Sequence, residues 1–271
     1  MAGSCWVCRM SVMWRDGVID EERSSEAPGS AAWGVFTTVG CEWCRPFLWS
    51  HHSRRLATSL VDLGATGAVR LPTENELCEL LDTAGLHGPA RLRVVARKDE
   101  SSRWSVEASA APCDAFGPAM EPARLTVERW PSAPPLAGHK TLSRLAWDMA
   151  RERAQCVGCD DAVMVDSTDR VLETSVANVW AVRGGVVRTP NAPISCLPGV
   201  MRGWLLKNLS RVGLVTEVCE LRCADLAEAD EMWLSNAVIG VRRVGSVDDR
   251  RWVEWPHFDV LANLGIPAPG W

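Results

Sequence analysis

The chain has 271 residues, 47% of them apolar and 23% charged, with a net charge of −5 at pH 7. That balance is ordinary for a globular protein and argues against nucleic acid or an anionic membrane surface as the main partner. No apolar run approaches a membrane span, and no basic segment followed by a hydrophobic stretch opens the chain, so a cytoplasmic protein is expected.

In chain order, residues 1–13 read as an extension, with Met10 and Met13 as alternative starts. Strand residues around Asp16-Gly17 predict a hairpin over 12–19, and residues 20–30, with Pro28 and Gly29, predict a loop. Gly34–Val39 reads as a strand, with Pro46–Trp49 its hairpin partner across a Gly40–Arg45 turn. A helix is expected from about His51, because Leu56, Leu60 and Leu63 recur at helical spacing. Pro72–Leu77 opens a second helix ending near Gly85. Arg91–Arg97 alternates as a strand, and a further alternating run carries Trp104, Val106 and Ala108 before Pro- and Ala-rich loops.

The stretch from Trp130 to Gly138, with Pro131, Pro134 and Pro135, reads as a stiff linker. It separates a small N-terminal domain (14–129) from a larger C-terminal one (140–271), with 130–139 between them. Beyond it the pattern predicts a helix to Cys156 and a buried strand over 161–166. Leu172–Arg183 and Val186–Thr189 form a hairpin closed by Gly184-Gly185. A helix over 200–212, a strand over 214–221 and a strand over 231–235 follow. The fold class expected is α/β (α+β).

Residue usage is skewed: there is no Tyr, 14 Trp and 11 Cys, and only Lys98, Lys140 and Lys207 are lysines among 29 basic residues. A mechanism needing a phenol is excluded, and each retained lysine invites a chemical explanation. The C-x-x-C pairs Cys5/Cys8, Cys41/Cys44 and Cys156/Cys159 lack the context of a disulfide framework. They read as small buried hydrophobes and exposed thiols. No metal site is expected; a non-catalytic zinc-binding protein is the alternative.

Three groups suggest chemistry. Lys140 follows the stiff linker, where it could be held partly desolvated. Glu173 starts a strand of small apolar residues, with Asn178 five residues on. Gly199-Val200-Met201 opens a helix, whose first amides bind phosphate without special side chains. Each has a blander reading: a solvated linker lysine, an edge-strand glutamate, an ordinary helix start. In company they suit a cofactor with an aldehyde, a ring nitrogen and a phosphate, namely pyridoxal 5′-phosphate.

The blocks Lys140–Leu145 (K-T-L-S-R-L), Glu173–Trp180 (E-T-S-V-A-N-V-W), Leu197–Arg202 (L-P-G-V-M-R) and Glu231–Val238 (E-M-W-L-S-N-A-V) resemble fold-type IV pyridoxal-phosphate enzymes, the class IV aminotransferase family. His52-Ser53-Arg54-Arg55-Leu56 is similar to the family's H-x-x-R-L helix. The resemblance implies a two-domain fold with a barrel-like sheet in the larger domain, and a homodimer. It also implies cofactor contacts from Lys140, Arg55, Glu173, Asn178, Leu197, Val200, Met201, Asn236 and Ala237, with Arg55 rather than Arg54 on the phosphate, and Arg97 on the substrate side.

Within the family, Thr37-Thr38 and the Ser235–Val241 loop resemble 4-amino-4-deoxychorismate lyase more than the branched-chain or D-amino-acid aminotransferases. The expected reaction is conversion of aminodeoxychorismate to 4-aminobenzoate and pyruvate, a step towards folate, with an aminotransferase as the alternative. Lys140 and Thr38 are the catalytic candidates. Period 2 turns only one of Thr37 and Thr38 towards the pocket, and the family's register selects Thr38, so Thr37→Val is expected to do little. The segments Gly29–Gly34 and Arg97–Glu100 depart from the family pattern on the substrate side.

Overall fold

A computed structural model describes residues 11–22 and 33–271. The Cys5/Cys8 pair, Met10, most of the expected 20–30 loop and Gly29–Ala32 lie outside the described residues. The chain divides into two compact units, up to Asp114 and from Ala115 onward.

The first unit holds β1 (Ser11–Arg15), β2 (Val18–Glu22), β3 (Gly34–Glu42), β4 (Arg45–Pro46), α1 (Trp49–Asp62), α2 (Glu74–Thr83), β5 (Ala90–Lys98) and β6 (Trp104–Pro112). Its six-stranded sheet runs β2-β1-β6-β5-β3-β4, and each pair of neighbours is antiparallel. The Asp16-Gly17 hairpin forms, with Arg15 opposite Val18. β1 also pairs with β6, so residues 11–13 belong to the sheet and not to an extension. The β3–β4 turn is tighter than expected: Glu42 faces Arg45, and the chain enters α1 at Trp49 instead of continuing as a strand.

One face of the sheet packs on the two helices. Val35, Val39 and Cys41 of β3 and Leu92, Val94 and Ala96 of β5 meet Leu56, Leu60, Leu77, Leu80 and Leu81. α2 is held at its start by a capping box, in which Thr73 accepts from the Glu76 amide and Glu76 accepts from the Thr73 amide. Two otherwise unpaired amides are thereby satisfied, worth about 1 kcal/mol.

The second unit holds β7 (Ala123–Arg129), α3 (Leu145–Cys156), β8 (Asp161–Val165), β9 (Val171–Thr174), β10 (Asn178–Arg183), β11 (Val186–Pro190), α4 (Val200–Asn208), β12 (Val215–Cys219), α5 (Cys223–Ala227), β13 (Glu231–Asn236), β14 (Gly240–Val247), β15 (Arg250–Arg251) and α6 (Pro256–Asp259). Its main sheet path is β12-β11-β10-β13-β14-β7-β8-β9. β9 ends that path and β10 is third along it, five strand spacings away, or about 24 Å if the sheet were flat. Only Ser175–Ala177 separate the two strands in sequence, a reach of roughly 14 Å. The sheet therefore curls back on itself, as the barrel-like expectation requires.

Two expectations need correction here. Residues 123–129 read as loop, yet they form β7, which pairs in parallel with β8 and β14. The boundary consequently lies near Asp114, not at the prolines. The proline-rich stretch is a packed connection within the second unit: Trp130 donates to Val165 O at 2.7 Å, Ser167 donates to Pro131 O at 2.8 Å, and Ala137 is buried. Proline stiffens an interdomain linker and an internal crossover alike, so composition cannot separate them. The second correction is that Leu172–Arg183 is not one strand. It breaks at Thr174–Ala177, where Thr174 Oγ1 accepts from the Ala177 amide at 3.1 Å and the Thr174 amide donates to Ala177 O at 2.9 Å.

That break positions two polar side chains. It leaves Glu173 at the end of β9 and Asn178 at the start of β10, on the two sides of a hydrogen-bonded turn.

Candidate active site

The second unit gathers most of the expected residues. Glu173 is part-buried, and each carboxylate oxygen has a donor: Trp147 Nε1 at 3.2 Å and the Leu197 amide at 3.1 Å. Burial is the largest influence on this carboxyl and drives its pKa up. The Leu197 amide, the Lys140 charge, the Trp147 indole and Arg144 all pull the other way without overcoming it. Lys140 is thus near enough to stabilise the Glu173 carboxylate electrostatically.

Asn178 fixes the next segment. Its Nδ2 donates to Leu197 O at 2.8 Å, and its Oδ1 lies so near Gly199 that a Cβ there would sit 2.0 Å from it. Only glycine permits that approach, which explains the glycine of the Leu-Pro-Gly block. Gly199 is then the N-cap of α4 with no side-chain cap, and the first turn carries no acidic residue. The opening amides of Val200 and Met201 keep the positive end of the helix for an anion. Further along α4, Arg202 is buried and spent on structure, donating to Thr189 Oγ1 at 3.2 Å and to Pro190 O at 2.8 Å.

Asn236 binds the same turn from β13. Its Nδ2 donates to Val176 O at 3.2 Å, while its Oδ1 accepts from the Val238 and Ile239 amides, both at 2.9 Å. Ala237, half-buried, lies inside this turn. Ser235 accepts from Trp180 Nε1 at 2.8 Å, which anchors the strand below.

Three participants escaped sequence reasoning. Trp147 read as an ordinary helix residue, yet it donates to Glu173 and stacks edge-on against Trp130 at 5.1 Å. Arg144 lies over the Trp147 ring at 5.7 Å and donates to Ser175 O; burial lowers its pKa. Ser175 is 2% exposed, and its hydroxyl has no hydrogen-bond partner among the described residues. The K-T-L-S-R spacing could have flagged Arg144; nothing local marks the other two.

An orphaned buried hydroxyl, an uncapped helix start, a carboxylate and an amine within electrostatic reach fit a phosphate-bearing aldehyde with a basic ring nitrogen. Those are the demands of pyridoxal phosphate.

In the first unit, Arg55 is half-buried and donates to Thr37 Oγ1 at 2.9 Å, while Arg54 is exposed. Thr37 is fully buried and its hydroxyl also meets His52 Nδ1 at 2.6 Å. Thr38 points to the other face of the sheet and pairs with Arg93 of β5. Arg97 is exposed, 3.9 Å from Glu107. The expectation that Thr37→Val is silent is therefore corrected: the valine would strip a buried acceptor from Arg55 and a partner from His52. A lost hydrogen bond to a charged group costs about 1.5–3 kcal/mol, so Thr37→Val should lower Tm and loosen Arg55. Thr37→Ser, which keeps the hydroxyl, should lie nearer to wild type in a thermal melt.

Over 114 residues the chain is 34% identical to an aminodeoxychorismate lyase of Vibrio harveyi. That match covers 42% of this chain and 42% of the relative, so it spans about two-fifths of that protein's length. A crystal structure of a candidate 4-amino-4-deoxychorismate lyase from Legionella pneumophila aligns with a TM-score of 0.79 at 24% identity, over 86% of this chain and 90% of that one. The PLP-bound form of a hypothetical aminotransferase from Mycobacterium tuberculosis aligns with a TM-score of 0.78 at 20% identity, over 93% of this chain and 96% of that one. At these identities the two structures establish the fold. Residues 34–247, most of the chain, match the family described as amino-transferase class IV, and the chain belongs to that family.

Proposed function

We propose that this chain is a pyridoxal-phosphate-dependent lyase that converts 4-amino-4-deoxychorismate to 4-aminobenzoate and pyruvate. The observation that carries the cofactor reading is the cluster around Glu173, in which the Lys140 charge, the Leu197 amide and the Trp147 indole converge on one buried carboxyl. The finer choice of lyase is supported by the 34% identity to the Vibrio harveyi protein, by the Ser235-Asn236-Ala237 turn and by the absence of any tyrosine.

Pyridoxal phosphate, when bound, supplies an aldehyde carbon that captures amines and a ring that spreads negative charge. Lys140 would hold it through its amine, and the same amine is the base placed for the substrate ring proton beside the nitrogen. Glu173 would be the carboxylate partner for a protonated ring nitrogen. The first amides of α4, at Val200 and Met201, would hold the phosphate; in the first unit, Arg55 is the candidate for an anion. Asn178 and Leu197 hold the α4 entrance in place, and Asn236 with Ala237 fixes the turn after β13 and ties it to Val176. In the first unit, Thr38 is the candidate to position or protonate a departing enolpyruvyl oxygen, and Arg97 the candidate for substrate binding. Loss of pyruvate makes the remaining ring aromatic, which drives the reaction.

The working form is read as a cytoplasmic homodimer supplying 4-aminobenzoate for folate. No helix among the described residues is long and apolar enough to cross a membrane.

Purified protein given aminodeoxychorismate and no keto acid should release pyruvate and 4-aminobenzoate in equal amounts. Silence on that substrate, together with amino exchange between glutamate or alanine and a keto acid, would replace the lyase reading by an aminotransferase. The cofactor assignments would survive that outcome.

A further inference from the structure

Among the described residues, one group of three His, Cys, Asp or Glu side chains has its donor atoms all within 4.8 Å of one another: Cys44, Asp82 and His87. All three belong to the first unit and come from a strand turn, a helix end and the connection that follows it. Cys44 is the second residue of the two-residue turn between β3 and β4. Asp82 lies in the last turn of α2, and His87 in the connection from α2 to β5. The Trp43 amide donates to His87 O at 2.9 Å, so the two backbones are already tied together.

The turn itself is unusual. Its central residues, Trp43 and Cys44, have φ of 53° and 55°. Such hairpin turns favour Asn-Gly, since side chains crowd the backbone there. A cysteine is held at a position where asparagine or glycine would be easier.

The spacing suits a metal ion. Cys44 Sγ lies 3.2 Å from His87 Nδ1, and His87 Nδ1 lies 3.8 Å from Asp82 Oδ1. Tetrahedral zinc, with bonds of about 2.3 Å to sulfur and about 2.0–2.1 Å to nitrogen and oxygen, sets those separations at about 3.6 Å and 3.4 Å. Each needs a change of only about 0.4 Å, within the freedom of part-exposed side chains. The mixed sulfur, nitrogen and oxygen set favours zinc over magnesium or calcium, which take oxygen ligands. Cys41, although spaced C-x-x-C with Cys44, is not a fourth ligand. It is fully buried in the core, its Sγ directed at Val39 O.

We propose that Cys44, Asp82 and His87 form a zinc site in the first unit, with a fourth position open to water. Binding releases the Cys44 thiol proton to solvent and transfers no electron; the thiolate and the Asp82 carboxylate neutralise the dication. The ion would clasp the end of β3 to the α2–β5 connection.

The test uses the full chain with pyridoxal phosphate in place, stripped of metal by a chelator, desalted and titrated with Zn²⁺ and separately with Co²⁺. The wild type should bind one zinc per chain at micromolar metal or below, give a thiolate–cobalt charge-transfer band, and melt at a higher temperature with zinc. Cys44→Ser and His87→Gln should each weaken binding by at least about 10²-fold, the upper end of what even an outer-sphere loss costs. Both should also abolish the zinc-dependent rise in Tm, whereas Cys156→Ser should behave as wild type. The absorbance of bound pyridoxal phosphate should be the same in all four proteins. Equal zinc binding by wild type and Cys44→Ser, or no binding by wild type at micromolar metal, overturns the site. Should Cys44→Ser misfold, His87→Gln alters only an exposed ring and reads the same outcome.

Discussion

Lys140→Arg is expected to lower turnover by at least roughly 10³-fold, within the range for losing a positioned proton-transfer group. The protein should also lose the yellow absorbance of covalently held cofactor. Arginine is the informative replacement because it keeps the positive charge that reaches Glu173. Its guanidinium stays protonated and planar, so it can neither condense with an aldehyde nor accept a proton. Loss of the nucleophile is thereby separated from loss of the field. Lys140→Met removes both, and the Glu173 carboxyl, already pushed up by burial, should rise further. Borohydride reduction of the wild type should fix the cofactor on the peptide carrying Lys140. A label on the peptide of Lys98 or Lys207 would sink the assignment.

Glu173→Gln should cost turnover at least roughly 10²-fold while the cofactor still binds, because an amide cannot hold a proton on the ring nitrogen. The geometry adds a structural effect that must be separated from the chemical one. Both carboxylate oxygens accept, from Trp147 Nε1 and from the Leu197 amide. Glutamine offers one acceptor oxygen and sets its NH₂ against a donor, which costs about 1–3 kcal/mol for the group left unsatisfied. Tm should therefore fall. Adding Trp147→Phe removes the competing donor, so the double variant should recover part of that loss in Tm and none of the turnover. Recovery of both would mean that Glu173 only supports the Leu197 segment.

Where sequence reading succeeded, it used rules that act over a few residues. Leu56 and Leu60 at helical spacing place α1 against the core, and Thr73 with Glu76 marks the start of α2. The Asp16-Gly17 and Gly184-Gly185 turns each close a hairpin. Gly199 ahead of an apolar helix marks the α4 entrance. Lys140, Glu173 and Asn178 could be named as candidates in the same way, because a scarce lysine and a carboxylate on an apolar strand are visible without a fold.

What the chain by itself determined is thus the four longer helices and most strands, the family blocks and the chemical groups available; the short helices α5 and α6 were not among them. Tertiary structure alone decided which elements share a sheet. β7 carries the alternation of a strand but joins β8 and β14, its partners up to about 120 positions away, and so moves the boundary to Asp114. It also decided that Thr37, not Thr38, supports Arg55, that Trp147 and Arg144 surround Glu173, and that Cys41 and Cys44 point to different environments. Period 2 states that neighbouring side chains oppose each other; which side meets a helix is settled only when distant strands pair.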